Sequence, residues 1–324
     1  MYLICGEALY DVFVEQSEDA TDVPLKAIAG GSPFNVAIGL ARLNIPTSFG
    51  TDIATDVLGE RMARLLTAEG VDLRFARRGA PSTPLALVAT DEAGVPAYRF
   101  LGLEYGTYAP DLGKPGASVS DIVGLHVGSV ALVMPRSAAT LLELSERFAD
   151  QGLVSLDPNV RLSIEPDVAK WQAAIDRFRS HAHVVKVSDE DIRALYAGSD
   201  ADEICESWLN ERTAIVVLTR GSAGASIFSR KHGRIDIPAV ESAVVDTIGA
   251  GDSFMAALLA ILSRWQLRTS NALRTIGREE FLYLGQFAAT AASLTCSRRG
   301  PSLPDFSEVD AVVGLPASYL RASA

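Results

Sequence analysis

The segment Asp246-Thr247-Ile248-Gly249-Ala250-Gly251-Asp252-Ser253-Phe254 stands directly before an apolar run fit for a helix. Amides around two glycines at a helix N-terminus make an anion site, because the unpaired donors and the positive dipole end point outward and no Cβ blocks approach. Phosphate is the natural ligand of Gly249, Ala250 and Gly251. Asp252 sets a carboxylate beside that site, where it would repel phosphate; it can instead accept a proton from an attacking hydroxyl. This is the arrangement a small-molecule kinase requires. The competing reading is a tight turn with Asp252 as the helix cap. A second glycine-rich helix start, Gly30-Gly31-Ser32-Pro33-Phe34-Asn35-Val36-Ala37, places small residues and Asn35 where a polar ligand could approach the backbone, although Ser32-Pro33 fits a capped helix equally.

Together the two glycine-rich helix starts favour the kinase reading. Gly30 to Glu60 resembles the first signature of the ribokinase-like (PfkB) carbohydrate kinases, and Asp246 to Leu259 resembles the second. The likeness covers essentially the whole chain and is strongest to fructokinase-like members. It implies one ribokinase-like α/β domain over residues 1–324, with a small β-stranded lid formed by about 11–30 and 75–108. Gly6-Glu7-Ala8-Leu9-Tyr10-Asp11 is similar to the N-terminal motif whose aspartate binds sugar hydroxyls, so Asp11 joins Gly30, Gly31 and Asn35 as an acceptor residue; its alternative is a turn aspartate. Asp157-Pro158-Asn159-Val160-Arg161 matches a strand-end motif, and strand ends are where open α/β sheets bind ligands, which brings in Asn159 and Arg161. Arg161 as a solvated or ion-paired surface residue is the alternative there.

The resemblance also assigns the donor end. Lys186-Val187-Ser188-Asp189-Glu190-Asp191 looks like the segment that organises the Mg–nucleotide water shell, with Lys186 and Ser188 toward the nucleotide and Asp191 acting indirectly on the metal. Many members have Asn at Ser188 and Glu at Asp191, and Ser188 reads equally as an N-cap. Thr219-Arg220-Gly221-Ser222-Ala223-Gly224 is similar to the nucleotide-contacting loop, giving Thr219, Gly221 and Gly224. A monovalent cation, K+, near Asp246 and Thr247 and a homodimer formed through the lid are further implications. The expected reaction is in-line transfer from Mg–ATP to a sugar hydroxyl. Fructose is the first acceptor. 2-Keto-3-deoxygluconate is the second, because Tyr98-Arg99 with Arg161 could receive a carboxylate. A nucleoside is the third, and a binding protein without turnover is the reading from another class.

The elements that must position these residues follow from periodicity. Leu3 to Cys5 and Asp11 to Glu15 read as strands, and Phe34, Ile38 and Ala41 recur at helical spacing until Asn44 and Pro46. Thr47 to Ile53 reads as one strand and Leu58 to Leu66 as a helix stopped by Gly70. Leu85 to Thr90 and Val95 to Leu101 flank Asp91-Glu92-Ala93-Gly94 as an antiparallel hairpin. Strands near 122–127, 153–157, 183–187 and 214–219 then alternate with helical patterns at 137–150, 167–179 and 189–210, which implies a doubly wound, mainly parallel sheet flanked by helices. A hairpin at 224–238 and helices at 251–264 and 279–296 close the chain.

Composition narrows the partners. Among 324 residues, 29 Lys and Arg against 40 Asp and Glu give a net charge of −11, so the overall field repels nucleic acid and anionic membrane, and phosphate has to be met locally. No GxxxxGK[ST] loop, protein-kinase signature or HExxH is present, and His181 and His183 read as structural or solvated. Glu7 and Asp11 interrupt the opening apolar stretch, against a secretory signal, and Cys5, Cys205 and Cys296 form no CxxC pair. A cytoplasmic protein is expected.

Overall fold

The computed structural model describes residues 1–15, 21–90, 96–113 and 118–314. Its first strand, β1 (Tyr2–Cys5), runs into β2 (Leu9–Val14) and β3 (Leu25–Gly30), which form an antiparallel pair. Ser32 and Pro33 open α1 (Ser32–Arg42), where the missing proline N–H falls at a position with no helical acceptor. The expected strand over Thr47–Ile53 is two: β4 (Thr47–Gly50) lies beside β1, whereas β5 (Asp52–Ala54) turns away after Thr51 to pair with β6 (Arg77–Ala80). Between them α2 (Val57–Ala68) is capped by Asp56, whose carboxylate accepts from the Gly59 amide at 2.8 Å. The hairpin of β7 (Leu85–Thr90) and β8 (Pro96–Leu101) is antiparallel as expected, and its turn, 91–95, lies outside the described residues.

From β9 (Gly124–Gly128) the chain alternates as its pattern requires: α3 (Pro135–Phe148), β10 (Leu153–Asp157), α4 (Val168–Arg179) and β11 (Val184–Ser188). The helical stretch expected over 189–210 breaks into α5 (Asp189–Leu195) and α6 (Ala201–Trp208), with Gly198 between them at φ 83. Next come β12 (Ile215–Thr219) and the antiparallel β13 (Ala225–Ser229) and β14 (Gly233–Ile237). The C-terminal third is helical, as α7 (Ala250–Arg264), α8 (Ser270–Leu273), α9 (Arg278–Cys296) and α10 (Phe306–Val313).

Eight of these strands make one sheet in the order β14-β13-β12-β11-β10-β9-β1-β4, parallel from β4 through β12. Its parallel strands are buried on both faces, while the edge strand β14 exposes Arg234 and Asp236. Ile4, Val184 and Val217 pack toward α1, α7 and α9, while Leu3, Val185 and Leu218 pack toward α3 and α4. That is why the strands read as continuous apolar runs, since successive side chains feed opposite helix layers. A second sheet, β3-β2-β7-β8, stands apart from the first, with β2 and β7 parallel and its other pairs antiparallel. The chain therefore has the ribokinase-like α/β architecture, and the small sheet occupies the stretch of sequence expected to form a lid.

Candidate active site

Gly249, at φ 80, is the cap of α7 and takes the left-handed turn that aims the first amides of the helix outward. Asp252 is on that first turn. Both of its oxygens are held by α1: Ser32 Oγ donates to Oδ1 at 2.7 Å and Asn35 Nδ2 to Oδ2 at 2.7 Å. The two glycine-rich helix starts thus meet at one carboxylate, and Asn35, expected to face the acceptor, serves to orient Asp252. Burial pushes the Asp252 pKa up, while the Ser32 and Asn35 bonds and the nearby Lys186 ammonium pull it down.

Lys186 supplies the positive charge behind the anion loop. Its ammonium donates to Asp157 Oδ2 at 2.7 Å, with both side chains almost wholly buried. A Cβ on Gly251 would lie 3.5 Å from Lys186 Nζ, an ordinary contact distance, which puts this cation next to the helix start. Asp157 Oδ1 has no partner among the described residues. Sequence reasoning gives Asp157 a place in a motif but no role of its own; its position at the last residue of a buried strand is the available signal.

Beyond Asp157, Asn159 sits at φ 40, a conformation that Asn tolerates better than most residues. Val160 N donates to Asp191 Oδ1 at 2.8 Å, and Ser188 N donates to Asp191 Oδ2 at 3.2 Å. In return Ser188 Oγ accepts from Asp191 N at 3.0 Å, a capping box for α5. The N-cap alternative for Ser188 is thereby realised, and Asp191 braces the 158–161 loop with both oxygens on backbone amides. At the same end of the sheet Thr219 Oγ1 lies 3.5 Å from Val187 O. Gly221, at φ 51, has open space where its Cβ would be, whereas a Cβ on Gly224 would meet Ile237 O at 2.2 Å. Gly224 is small for packing.

At the other end Asp11 lies against Gly30, where a Cβ would come within 2.7 Å of Asp11 Oδ2, and a Cβ on Gly31 would come as close to the Glu7 carbonyl. Those glycines make room for the Gly6–Asp11 segment. Burial raises Asp11 to about 6, opposed by the Arg161 guanidinium. Arg161 is exposed and donates only to Val160 O, at 2.9 Å, among the described residues. Glu7, to which sequence reasoning gives no role, is 3% exposed and raised by burial to about 7. Arg99 is exposed on β8, and the Tyr98 side chain lies outside the described residues. Asp246 ties two loops, accepting from Ile248 N at 3.0 Å and Gly300 N at 2.9 Å, with Thr247 exposed beside it. His183 is buried in the sheet and held well below the usual histidine range by desolvation, consistent with a structural residue.

Chemically, the arrangement offers a buried carboxylate, an outward-facing set of helix amides and a buried cation on one side, and two carboxyl groups near one arginine on the other. The sequence pattern of the pfkB family carbohydrate kinases matches residues 3–307. A fructokinase of Rhizobium leguminosarum bv. trifolii is 35% identical over 288 residues, 86% of this chain and 85% of that protein. The probable fructokinase-4 of Arabidopsis thaliana is 31% identical over 95% of both chains. The crystal structure of a Xylella fastidiosa fructokinase with bound ATP superposes with a TM-score of 0.83 at 26% identity, covering 96% of this chain and 97% of that one.

Proposed function

The chain belongs to the pfkB family of carbohydrate kinases and is an ATP-dependent sugar phosphotransferase, and on that premise we propose that its acceptor is fructose and that Asp252 takes the proton from the attacking hydroxyl. The observation that carries the choice of acceptor is the charge of the acceptor end: Asp11 has the one guanidinium of Arg161 beside it and the negative charge of Asp252 against it. A neutral sugar enters such a site without adding charge, whereas a carboxylate-bearing sugar would face uncompensated repulsion. Arg99, exposed on β8, supplies no second cation beside Arg161 among the described contacts.

In this reading Asp252, fixed by Ser32 and Asn35, receives the hydroxyl proton as the oxygen attacks the γ-phosphorus. The Gly249, Ala250 and Gly251 turn and Lys186 meet the charge spread over the transferring oxygens, so that catalysis is positioning plus electrostatics. Mg2+ would arrive on the ATP phosphates and supply charge neutralisation there. The residues fit an ion that keeps its waters: no group of three acidic, His or Cys ligands occurs among the described residues, and the unpartnered Asp157 Oδ1 is the oxygen able to accept from such a water. The Thr219–Gly221 loop would face the nucleotide, and Asp246 and Thr247 would border a K+ site. The sheet of β2, β3, β7 and β8 would close over the sugar as a lid and exclude water. Its outward Leu25 and Leu101, 59% and 42% exposed, suit a second copy of the chain. Buried Cys5 and Cys205 and the partly buried Cys296 remain as thiols, in keeping with a cytoplasmic location.

The deciding experiment is ADP release with ATP, Mg2+ and a panel of fructose, 2-keto-3-deoxygluconate and nucleosides. The expected result is the highest kcat/KM for fructose. A higher value for the acid sugar, lost in both Arg99→Met and Arg161→Met, would replace fructose as the acceptor.

A further inference from the structure

The connections of the large sheet change direction between β1 and β9, which are neighbours with Cys5 opposite Val127. In an open α/β sheet the crevice at the carboxyl ends of two such strands is the ligand site. The residues leaving those ends are Gly6-Glu7 and Gly128-Ser129. Ser129 is 2% exposed at φ 55, a left-handed conformation that a non-glycine residue keeps only where its surroundings enforce it, most often at functional sites.

Glu7 is bonded on one side only. Its carboxyl accepts from the Ser129 hydroxyl and from its own amide, while Oε2 is sealed from water with no partner among the described residues. An ionised carboxylate would leave that oxygen bare in a buried site, whereas a carboxyl that keeps its proton carries no such charge. The charged groups facing it are Arg161, from the loop after β10, and Asp252, from α7; the Tyr108 phenol feels its charge in turn and is itself committed to Leu103 O. Asp11 draws on the same Arg161.

We propose that Glu7 is a positioning residue of the acceptor site that works as a neutral acid: with its proton in place it leaves Arg161 to Asp11 and the acceptor, and on losing it draws the guanidinium inward and weakens acceptor binding. The placement of its pKa near 7 is consistent with this and puts the change within an ordinary assay range. The proposal rests on the sugar-kinase reading. It differs from any effect of Asp11, which becomes charged about a unit lower and strengthens sugar binding as it does so.

The test is the pH profile of both Michaelis constants, from about pH 6 to 9, in the intact chain and in Glu7→Gln, which mimics the protonated form. In the unmodified protein the fructose KM should climb by up to about tenfold per pH unit above about 7 while the ATP KM stays level. In Glu7→Gln the fructose KM should stay near its low-pH value throughout. An unchanged climb in Glu7→Gln, or equal loss for both substrates, overturns the proposal. If Glu7→Gln does not fold, Ser129→Ala serves in its place: loss of the hydroxyl that favours the ionised form should move the climb to higher pH, and an unmoved climb overturns the proposal. Thermal unfolding gives a readout free of the acceptor. A folded pKa above the unfolded value means that stability is gained below about 4.5 and lost as pH rises through about 7. Tm of the unmodified protein should therefore fall relative to Glu7→Gln over that window, and parallel curves would show that Glu7 holds no such proton. Failure of fructose to turn over refutes the fructose reading alone, since the same profiles are then taken with the neutral sugar that the acceptor panel identifies.

Discussion

Asp252 and Asp11 are two carboxylates of the proposed site, supported in opposite ways. Asp252 rises from a long helix, with each oxygen accepting a hydrogen bond from a second helix. Asp11 stands on the four-stranded sheet, pressed against Gly30 and balanced by the field of an exposed Arg161. The transfer end is assembled by folding itself, as expected of groups that must be pre-organised for a transition state. The proposed acceptor end keeps groups that a bound sugar would complete.

The contrast is broken most directly at Asp252. Asp252→Asn should lower kcat by about 10²- to 10⁴-fold, the usual cost of a lost general base, with Tm and ATP affinity little changed because the side chain keeps its volume. Near-normal turnover would make Asp252 a tie between α7 and α1 rather than a base; the helix-cap alternative is already closed, because Gly249 caps α7 and both Asp252 oxygens accept from α1. The buried pair is the next largest effect, read as stability rather than rate. Lys186→Met leaves Asp157 charged and unpaired and should cost about 3–5 kcal/mol in urea unfolding; a loss below about 1 kcal/mol would mean that the pair is less buried in solution. Asp11→Ala should raise the fructose KM through loss of roughly 1.5–3 kcal/mol while sparing the ATP KM, and equal effects on both would erase the division between the two ends. Ser32→Ala should have the smallest effect, about fivefold in kcat for about 1 kcal/mol. Its sign is diagnostic: the Ser32 bond lowers the Asp252 pKa, so its removal shifts the acid limb of the kcat–pH profile upward, and an unshifted limb would mean that Asp252 is not the base.

Much of this architecture is legible in the sequence because periodicity and local chemistry agree. The parallel strands are continuous apolar runs, and Gly249 to Asp252 announces its own turn. What escapes sequence reading depends on tertiary context. Thr47–Ile53 looks like one strand because nothing local shows that β5 leaves the sheet at Thr51 to meet β6, whose partner residues Arg77 to Ala80 carry no apolar alternation. The helix expected over 189–210 passes over Gly198, whose turn separates α5 from α6. In the site, Ser32 and Asn35 read as a helix start, and spacing cannot yield their bonds to Asp252. Glu7 resembles any polar residue after a strand; only its burial, which no pattern reports, marks it out.

The bonds from Ser32 and Asn35 to Asp252 join residues 220 and 217 positions apart in the chain. During synthesis α1 therefore leaves the ribosome long before α7 exists to receive it, and a nascent chain carrying the proposed acceptor end still lacks Asp252. A chain cut short before Asp246 would retain Asp11, Glu7 and Arg161 and lack the proposed base and its helix amides. In that reading the two ends of the site become one only once α7 has folded against α1.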